Sequence, residues 1–224
     1  MKKVNLFKKC MMLCYLSLSI AAHAQQPNIR LQFSGIPSPD EVSELVKSTL
    51  PNTLQLIEPD DLTQYGFAST DNFESITIGL PFYQTLLQPE MFTRSEIDAT
   101  PVSILVPLIL QSTARCLVHI GYEDNAWRVV GIGDGLLVKQ QAEIFSDKTN
   151  PESDRNILFF APNQNQNYLL VEGAEYGFKP LYTFDQPANK LMTWKDVVEL
   201  QSSSPKETES LIHELDETEI NQTK

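Results

Sequence analysis

The segment PVSILVPLILQSTARCLVHIGYEDNAWRVVGIG, Pro101 to Gly133, decides the fold predicted for this chain. Its three apolar runs are separated only by the short polar stretches QST and EDNA. Runs of this length joined by tight turns predict three consecutive antiparallel strands, a β-meander. The first run is apolar on both faces, which is typical of a central strand, although Pro107 indicates an edge or a bulge.

Downstream of the meander the pattern changes from strand to helix and back. GLLVKQQAEIF is amphipathic and predicts a helix. NILFFAP and YLLVEG flank NQNQN and predict a β-hairpin, and KPLYTF predicts a last short strand. TWKDVVELQ predicts a short helix that Thr193 caps.

Upstream of the meander, NIRLQF alternates apolar and polar residues and predicts a half-buried strand. The best helix signal in the chain follows, from Ser38 to Leu50. Ser38 is a suitable cap, Pro39 fits the first turn, and Pro51 is expected to end the helix. TLQLIE then predicts a short strand, and DDLTQYG a helical turn closed by a glycine.

FESITIGL and FYQTLL predict strand segments with a kink between them at Gly79 to Pro81, and TRSEIDAT is interpreted as a polar connection.

Together the elements from NIRLQF to TWKDVVELQ predict an α+β fold. We expect a predominantly antiparallel sheet of six to eight strands, built from the meander and the hairpin, with a covering N-terminal helix and one or two further short helices. The predicted domain spans residues 25–201.

The first 24 residues have the pattern of a secretory signal peptide. Four lysines precede the short apolar run CMMLCYLSLSI, and AAHA supplies small residues before a cleavage point after Ala24. The apolar run is shorter than the roughly 20 residues of a membrane span, and no later stretch is long enough. The sequence therefore predicts export, to the periplasm or beyond the cell, with no transmembrane segment after cleavage.

Charge narrows the class of partner. The whole chain has a formal net charge of −12, and loss of a leader with four lysines and no carboxylate makes it −16. An acidic chain repels phosphate backbones and anionic lipid surfaces. We therefore expect neither a nucleic-acid partner nor a membrane-surface role.

Residues 202–224 form an acidic segment with six carboxylates and two lysines. A helix beginning near Ser204 and Pro205 would carry Leu211, Ile212 and Leu215 on one side. Because this apolar face is thin, the segment is predicted to be a loosely attached helix or a disordered tail. A helix that docks onto a partner is the alternative.

The glycines at 131, 133 and 135 raise the question of a nucleotide site. A dinucleotide fingerprint requires G-x-G-x-x-G between parallel strands, and here the third glycine comes one residue early in a predicted antiparallel hairpin. No lysine follows in the P-loop position. We therefore predict no nucleotide cofactor. Gly131 and Gly133 are expected to permit a bulge or a close backbone approach, with Asp134 capping the next helix.

No catalytic motif is evident. Strand alternation places Cys116 on one face of its strand and Arg115 with His119 on the other, so Cys116 is predicted to be a buried, inert thiol. His119 is predicted to lie on the sheet surface. The spacing of Cys, His and carboxylates predicts no zinc site, and no G-x-S-x-G elbow is present.

One loop carries several oxygen ligands. SDKTNPESDRN spaces Asp147, Glu152 and Asp154 along a short connection together with Asn150 and Asn156. Such ligands are suited to calcium, but the glycine of an EF-hand loop is missing. A calcium site and a solvated linker both account for the pattern.

From the sequence we expect an exported, non-enzymatic binding module that engages a protein or peptide partner by a sheet edge or surface loops. The alternative is a small carboxylate-dependent hydrolase that acts on an extracellular substrate in a cleft. A third possibility is an accessory protein whose tail docks onto a partner. No catalytic residue, cofactor or metal ligand is assigned, apart from the three calcium candidates.

Overall fold

The structure, a computed structural model, describes residues 27–55, 57–146, 155–171, 177–181 and 191–203. The predicted leader, the calcium candidates Asp147, Glu152 and Asp154, and the acidic segment beyond residue 203 lie outside the described residues.

The described strands are β1 Asn28–Leu31, β2 Thr77–Ile78, β3 Phe82–Leu86, β4 Glu96–Ala99, β5 Ser103–Leu110, β6 Thr113–Glu123, β7 Ala126–Gly133, β8 Asn156–Ala161, β9 Gln166–Val171 and β10 Gly177–Pro180. The α-helices are α1 Pro39–Gln55, α2 Gly135–Gln140, α3 Ala142–Ser146 and α4 Trp194–Ser203. Short 3₁₀ helices span Pro59–Tyr65, Phe73–Ser75, Pro89–Thr93 and Pro162–Gln164.

The chain has the predicted α+β fold. Within the described residues, eight strands form one sheet in the order β10-β9-β8-β3-β5-β6-β7, with β2 also paired to β5. Every pairing in this sheet is antiparallel except β3 with β8, so the sheet is mixed but mostly antiparallel. The predicted meander is β5-β6-β7, and the predicted hairpin is β8-β9.

Pro107 lies in an inner strand, and the strand next to it explains how. β2 and β3 both pair with β5, and the interruption between them at Gly79 faces Pro107. The Gly79 amide donates to the Pro107 carbonyl at 2.8 Å, so Pro107 lies beside this interruption. Proline has no N–H to donate, and here no regular strand partner requires one. The inner position of β5 confirms the predicted central strand. The register shift between Leu108 and Ile109 leaves Arg115 of β6 unmatched, so the bulged residue is on β6 rather than on β5.

Two hydrophobic clusters cover the two faces of the sheet. On the first face, Val42 and Val46 of α1 are buried with Val118 and Ile120 of β6. On the second face, Val138 of α2 and Phe145 of α3 are buried in the other cluster. Since β5 contributes to both clusters, it forms the centre of the molecule, as its unbroken apolar sequence predicts.

Helix α1 packs on the sheet as predicted but continues past Pro51 to Gln55. The prediction that Pro51 ends the helix was therefore wrong, as was the strand predicted in TLQLIE. Leu50 and Leu54 extend the apolar stripe of Val42 and Val46, and both pack against the core. Packing of this stripe outweighs the loss of one backbone hydrogen bond at Pro51.

The segment TRSEIDAT is not only a connection, because it contains β4. β4 pairs in parallel with β1 in a separate two-stranded sheet. Ile97 and Ala99 are buried whereas Glu96 and Asp98 are exposed, so the alternation of a strand is present in the sequence. Arg30 and Glu96 form an ion pair across the two strands.

Both longer helices begin with the predicted caps. The Ser38 hydroxyl accepts the Glu41 amide, and Thr193 accepts the Asp196 amide, while each carboxylate receives the cap residue's own amide. These are reciprocal capping boxes. None of the described helices is both long and apolar enough to cross a lipid bilayer.

Candidate functional site

The second face of the sheet is only partly covered by α2 and α3, and a cleft of about 520 Å³ remains beside them. Its walls come from the sheet, from α2 and from the turn after β8. The lining residues are Gln84, Leu105, His119, Asp134, Leu136, Leu137, Phe160, Asn165 and Asn167.

A histidine and a carboxylate meet at one end of this cleft. His119 projects from β6 on the second face, as predicted, and its Nε2 lies 3.0 Å from Oδ2 of Asp134. Asp134 directly follows β7, in the left-handed conformation with φ of 59°. Its side chain makes no capping bond to α2, so the predicted cap was wrong. The carboxylate is instead directed across the sheet to His119.

The two β7 glycines lie on the same side of the sheet as the histidine. Gly131 is opposite His119, and Gly133 is opposite Leu117. A register shift between His119 and Ile120 confirms the predicted bulge. Of the two predicted alternatives the structure therefore has the bulge and not the close backbone approach, because a Cβ added at either glycine would meet nothing within 4 Å. Their effect is to leave the space beside His119 open.

A chain of hydrogen bonds fixes the polar floor of the cleft. Ser103 Oγ donates to Oε1 of Gln84 at 2.7 Å, and Nε2 of Gln84 donates to Oδ1 of Asn167 at 2.8 Å. These side chains come from β5, β3 and β9, so long-range strand pairing brings them together. The amide of Gln84 is therefore held in one orientation.

This arrangement offers fixed donors and acceptors rather than an assembled nucleophile. The Ser103 hydroxyl is committed to Gln84, and no hydroxyl or thiol of the described residues hydrogen-bonds to His119. Asp134 is the one carboxylate among the residues that line the cleft. No group of three His, Cys, Asp or Glu side chains in the described part of the chain is placed to hold a metal ion.

Cys116 lies on the opposite face from the cleft, in the α1-covered core. It is completely buried, and burial raises the pKa of its thiol to about 12. This confirms the predicted buried thiol. A neutral thiol without access to solvent is a packing residue.

Exposed apolar side chains lie at separate places on the meander and just after it. Tyr122 of β6, Val130 of β7 and Leu136 of α2 are each about half exposed or more. Trp127 packs edge-to-face against Tyr122 and donates its indole N–H to the Gly35 carbonyl at 2.9 Å. Tyr122 and Trp127 lie beside the β6–β7 turn, whereas Leu136 follows the other end of β7, so the exposed residues do not form one patch.

The two outer edges of the sheet differ. On β10, Phe178 and Met192 exchange two backbone hydrogen bonds of 2.9 Å, which cover that edge. Among the described residues, only β6 pairs with the backbone of β7. Within the residues that the structure describes, the eight-residue β7 is therefore an open edge strand.

Comparison of the chain with protein-family models, with curated proteins and with solved structures found no match.

Proposed function

We propose that this protein is an exported binding module that captures an extended segment of a protein partner along the outer edge of β7. The observation that carries the proposal is the open β7 edge, with exposed apolar side chains beside it. An extended peptide can add a strand to such an edge, where main-chain hydrogen bonds supply affinity and side-chain contacts supply specificity.

The surroundings of β7 define the kind of segment it would accept. Val130 is exposed on the strand, and Leu136 is exposed on α2 three residues after the strand ends. Both offer contacts to apolar residues of a bound segment. The cleft with His119 and Asp134 lies on the same side and offers polar contacts. The acidic charge of the chain disfavours a strongly acidic segment.

The bulge limits pairing of β7 with other copies of the chain. One residue of β7 is unmatched between the partners of His119 and Ile120, which twists the strand locally. Bulges of this kind protect edge strands from indiscriminate association. The edge is thereby suited to a selected partner rather than to aggregation.

The test is selection of 12-residue peptides from a random library on immobilised protein, followed by binding measurements on Val130→Lys and Val102→Lys variants. Val130 and Val102 are 48% and 47% exposed, but only Val130 lies on the β7 edge. A lysine on the edge should lower the affinity for the selected peptides about tenfold or more, whereas V102K should bind them with the affinity of the parent.

Amide hydrogen exchange supplies the second measurement. A bound strand should slow exchange within Ala126–Gly133 and leave β10 unchanged. Equal binding by V130K and the parent, or peptide-induced protection elsewhere but not in β7, would refute the edge site.

The second candidate function is a small hydrolase that works through carboxylates. The observation that favours it is the concave cleft with Asp134 paired to His119. A carboxylate pair separated by about 5–9 Å is the usual requirement for glycoside hydrolysis, and the cleft lining supplies one member. Turnover of a glycoside or ester panel that Asp134→Asn abolishes would establish this function in place of binding.

A further inference from the structure

A second pocket, of about 590 Å³, lies on the other side of Leu136 from the cleft. It is bounded by β6, by α2 and by the 3₁₀ helix Pro59–Tyr65 with the turn that follows. Its lining residues are Thr63, Gln64, Gly66, Phe67, Ala68, Thr113, Ala114, Arg115, Gly135, Leu136, Lys139 and Ala142.

Two glycines hold the walls of this pocket together by direct backbone contact. A Cβ on Gly66 would lie 2.6 Å from the Arg115 carbonyl oxygen, and one on Gly135 would lie 2.6 Å from the Gln64 carbonyl oxygen. Gly66 also has a φ of 78°, which favours glycine. The close approaches are backbone to backbone, so the pocket is preformed by the fold.

Arg115 lines this pocket, and its guanidinium has few hydrogen-bond or ion-pair partners among the described residues. Its Nη1 donates to the Gly66 carbonyl at 3.5 Å, a long hydrogen bond. Its Nε is buried and has no hydrogen-bond partner among the described residues, and no described carboxylate lies within ion-pair distance of the guanidinium. A guanidinium carries five N–H donors, so groups in the described part of the chain use little of its capacity.

Lys139 supplies a second cation at the rim. It is exposed on α2, and no described carboxylate is within ion-pair distance of it. The accessible apolar surface of the lining comes from Leu136, which is 59% exposed, and from the half-buried Ala142, whereas Phe67 and Ala114 are buried behind it. Two cations beside an apolar wall are notable in a chain of net charge −12.

We propose that this pocket binds a small organic acid, with an apolar body against Leu136 and Ala142 and a single carboxylate between Arg115 and Lys139. The volume falls within the range of about 300–1,000 Å³ that is usual for small-molecule sites. Arginine binds a carboxylate through two parallel N–H donors, and an adjacent ammonium adds attraction. This pocket shares Leu136 with the surroundings of β7, but the proposal for it rests on Arg115 and Lys139 and does not depend on the proposed function.

The test is isothermal titration of the protein with octanoate, and with octan-1-ol as the uncharged counterpart of the same length. Octanoate should bind with one site per chain, and octan-1-ol at least tenfold more weakly. Arg115→Gln and Lys139→Gln should each lower the affinity for octanoate about tenfold or more. Arg128→Gln is the matched control, because Arg128 is an exposed arginine of β7 outside the pocket lining and its ion pair is with Asp124.

Each outcome decides the proposal. Failure of octanoate to bind at millimolar concentration, equal binding of octan-1-ol, or unchanged affinity in K139Q would overturn it. K139Q alters an exposed side chain, so the result does not depend on whether R115Q folds. The Val130→Lys protein should bind octanoate like the parent, which distinguishes failure of this site from failure of the β7 edge.

Discussion

Nε2 of His119 lies 3.0 Å from Oδ2 of Asp134, and the backbone of Asp134 is left-handed with φ of 59°. The carboxylate thus crosses from the end of β7 to β6 instead of capping the helix that it precedes. Both side chains are partly exposed, so the contact between them contributes little to folding stability. The backbone conformation at Asp134 is the larger constraint.

Substitutions at Asp134 should separate these two contributions. A left-handed conformation costs an ordinary L-residue about 1–2 kcal/mol and costs glycine little. We expect Asp134→Ala to be about 1 kcal/mol less stable than Asp134→Gly, as measured by urea unfolding. If D134A proved as stable as D134G, the left-handed backbone would not be the constraint.

The glycines that matter for folding should be Gly66 and Gly135 rather than Gly131 and Gly133. Gly66→Ala combines a positive φ with a Cβ 2.6 Å from a backbone oxygen, and should lower the free energy of unfolding by about 2–4 kcal/mol. Gly131→Ala is the control, because its Cβ would enter open space, and it should cost about 1 kcal/mol or less. Thermal melts of the two variants measure the difference, and similar melting temperatures would contradict it.

Cys116 should be unreactive in the native protein. Its side chain is buried and its thiol pKa is raised to about 12, so on the order of one thiol in ten thousand is ionised at pH 8. Ellman's reagent should react with it only after denaturant is added. Rapid labelling of a folded sample at pH 8 would show that β6 opens to solvent.

The cap of α1 should make stability depend on pH at the acidic end. The Ser38 amide and hydroxyl donate to Glu41 at 2.8 and 2.9 Å, and these bonds lower the pKa of the Glu41 carboxyl. Because the pKa is lower in the folded protein, the stabilisation is present above the unfolded-state pKa and is lost as pH falls through the folded-state pKa.

We therefore expect Glu41→Gln to be less stable than the parent at pH 7, with the difference shrinking as the pH falls below about 4. Urea unfolding at several pH values from 3 to 7 measures it. A difference that stayed constant over this range would exclude the ionised carboxyl as its source.

Replacing Pro51 should stabilise the protein. A proline inside a helix removes one backbone hydrogen bond and costs about 3 kcal/mol, part of which it recovers by restricting the unfolded chain. Since Pro51 is an exposed interior residue of α1, Pro51→Ala should raise the free energy of unfolding by about 1–2 kcal/mol. Pro39 begins the same helix, so Pro39→Ala should give no gain. Equal effects at the two positions would contradict this account.

Local sequence patterns predicted most of the sheet. Alternation in ARCLVHIGY correctly separated Cys116 from Arg115 and His119, because strand geometry places neighbouring side chains on opposite faces. The caps at Ser38 and Thr193 were predictable for the same reason, since each depends on residues three positions apart.

Where local signals conflicted with packing, packing prevailed. Pro51 is a valid stop signal, yet Leu54 packs on the core and α1 continues. EIDA contains the alternation of a strand, but its partner β1 lies more than sixty residues earlier, and no local signal identifies that pairing. Asp134 is a suitable cap residue, and it bonds to His119 instead.

The sequence by itself determined the α+β class, the β5-β6-β7 meander, the β8-β9 hairpin and the face on which each β6 side chain lies, because these follow from the two-residue period of a strand and from short turns. Only the tertiary structure decided which strand has an open edge, and which polar groups share a cleft. Ser103, Gln84 and Asn167 are far apart in the chain and meet only because β3, β5, β8 and β9 pair in one sheet. Such contacts depend on strand order, which residue periodicity does not encode.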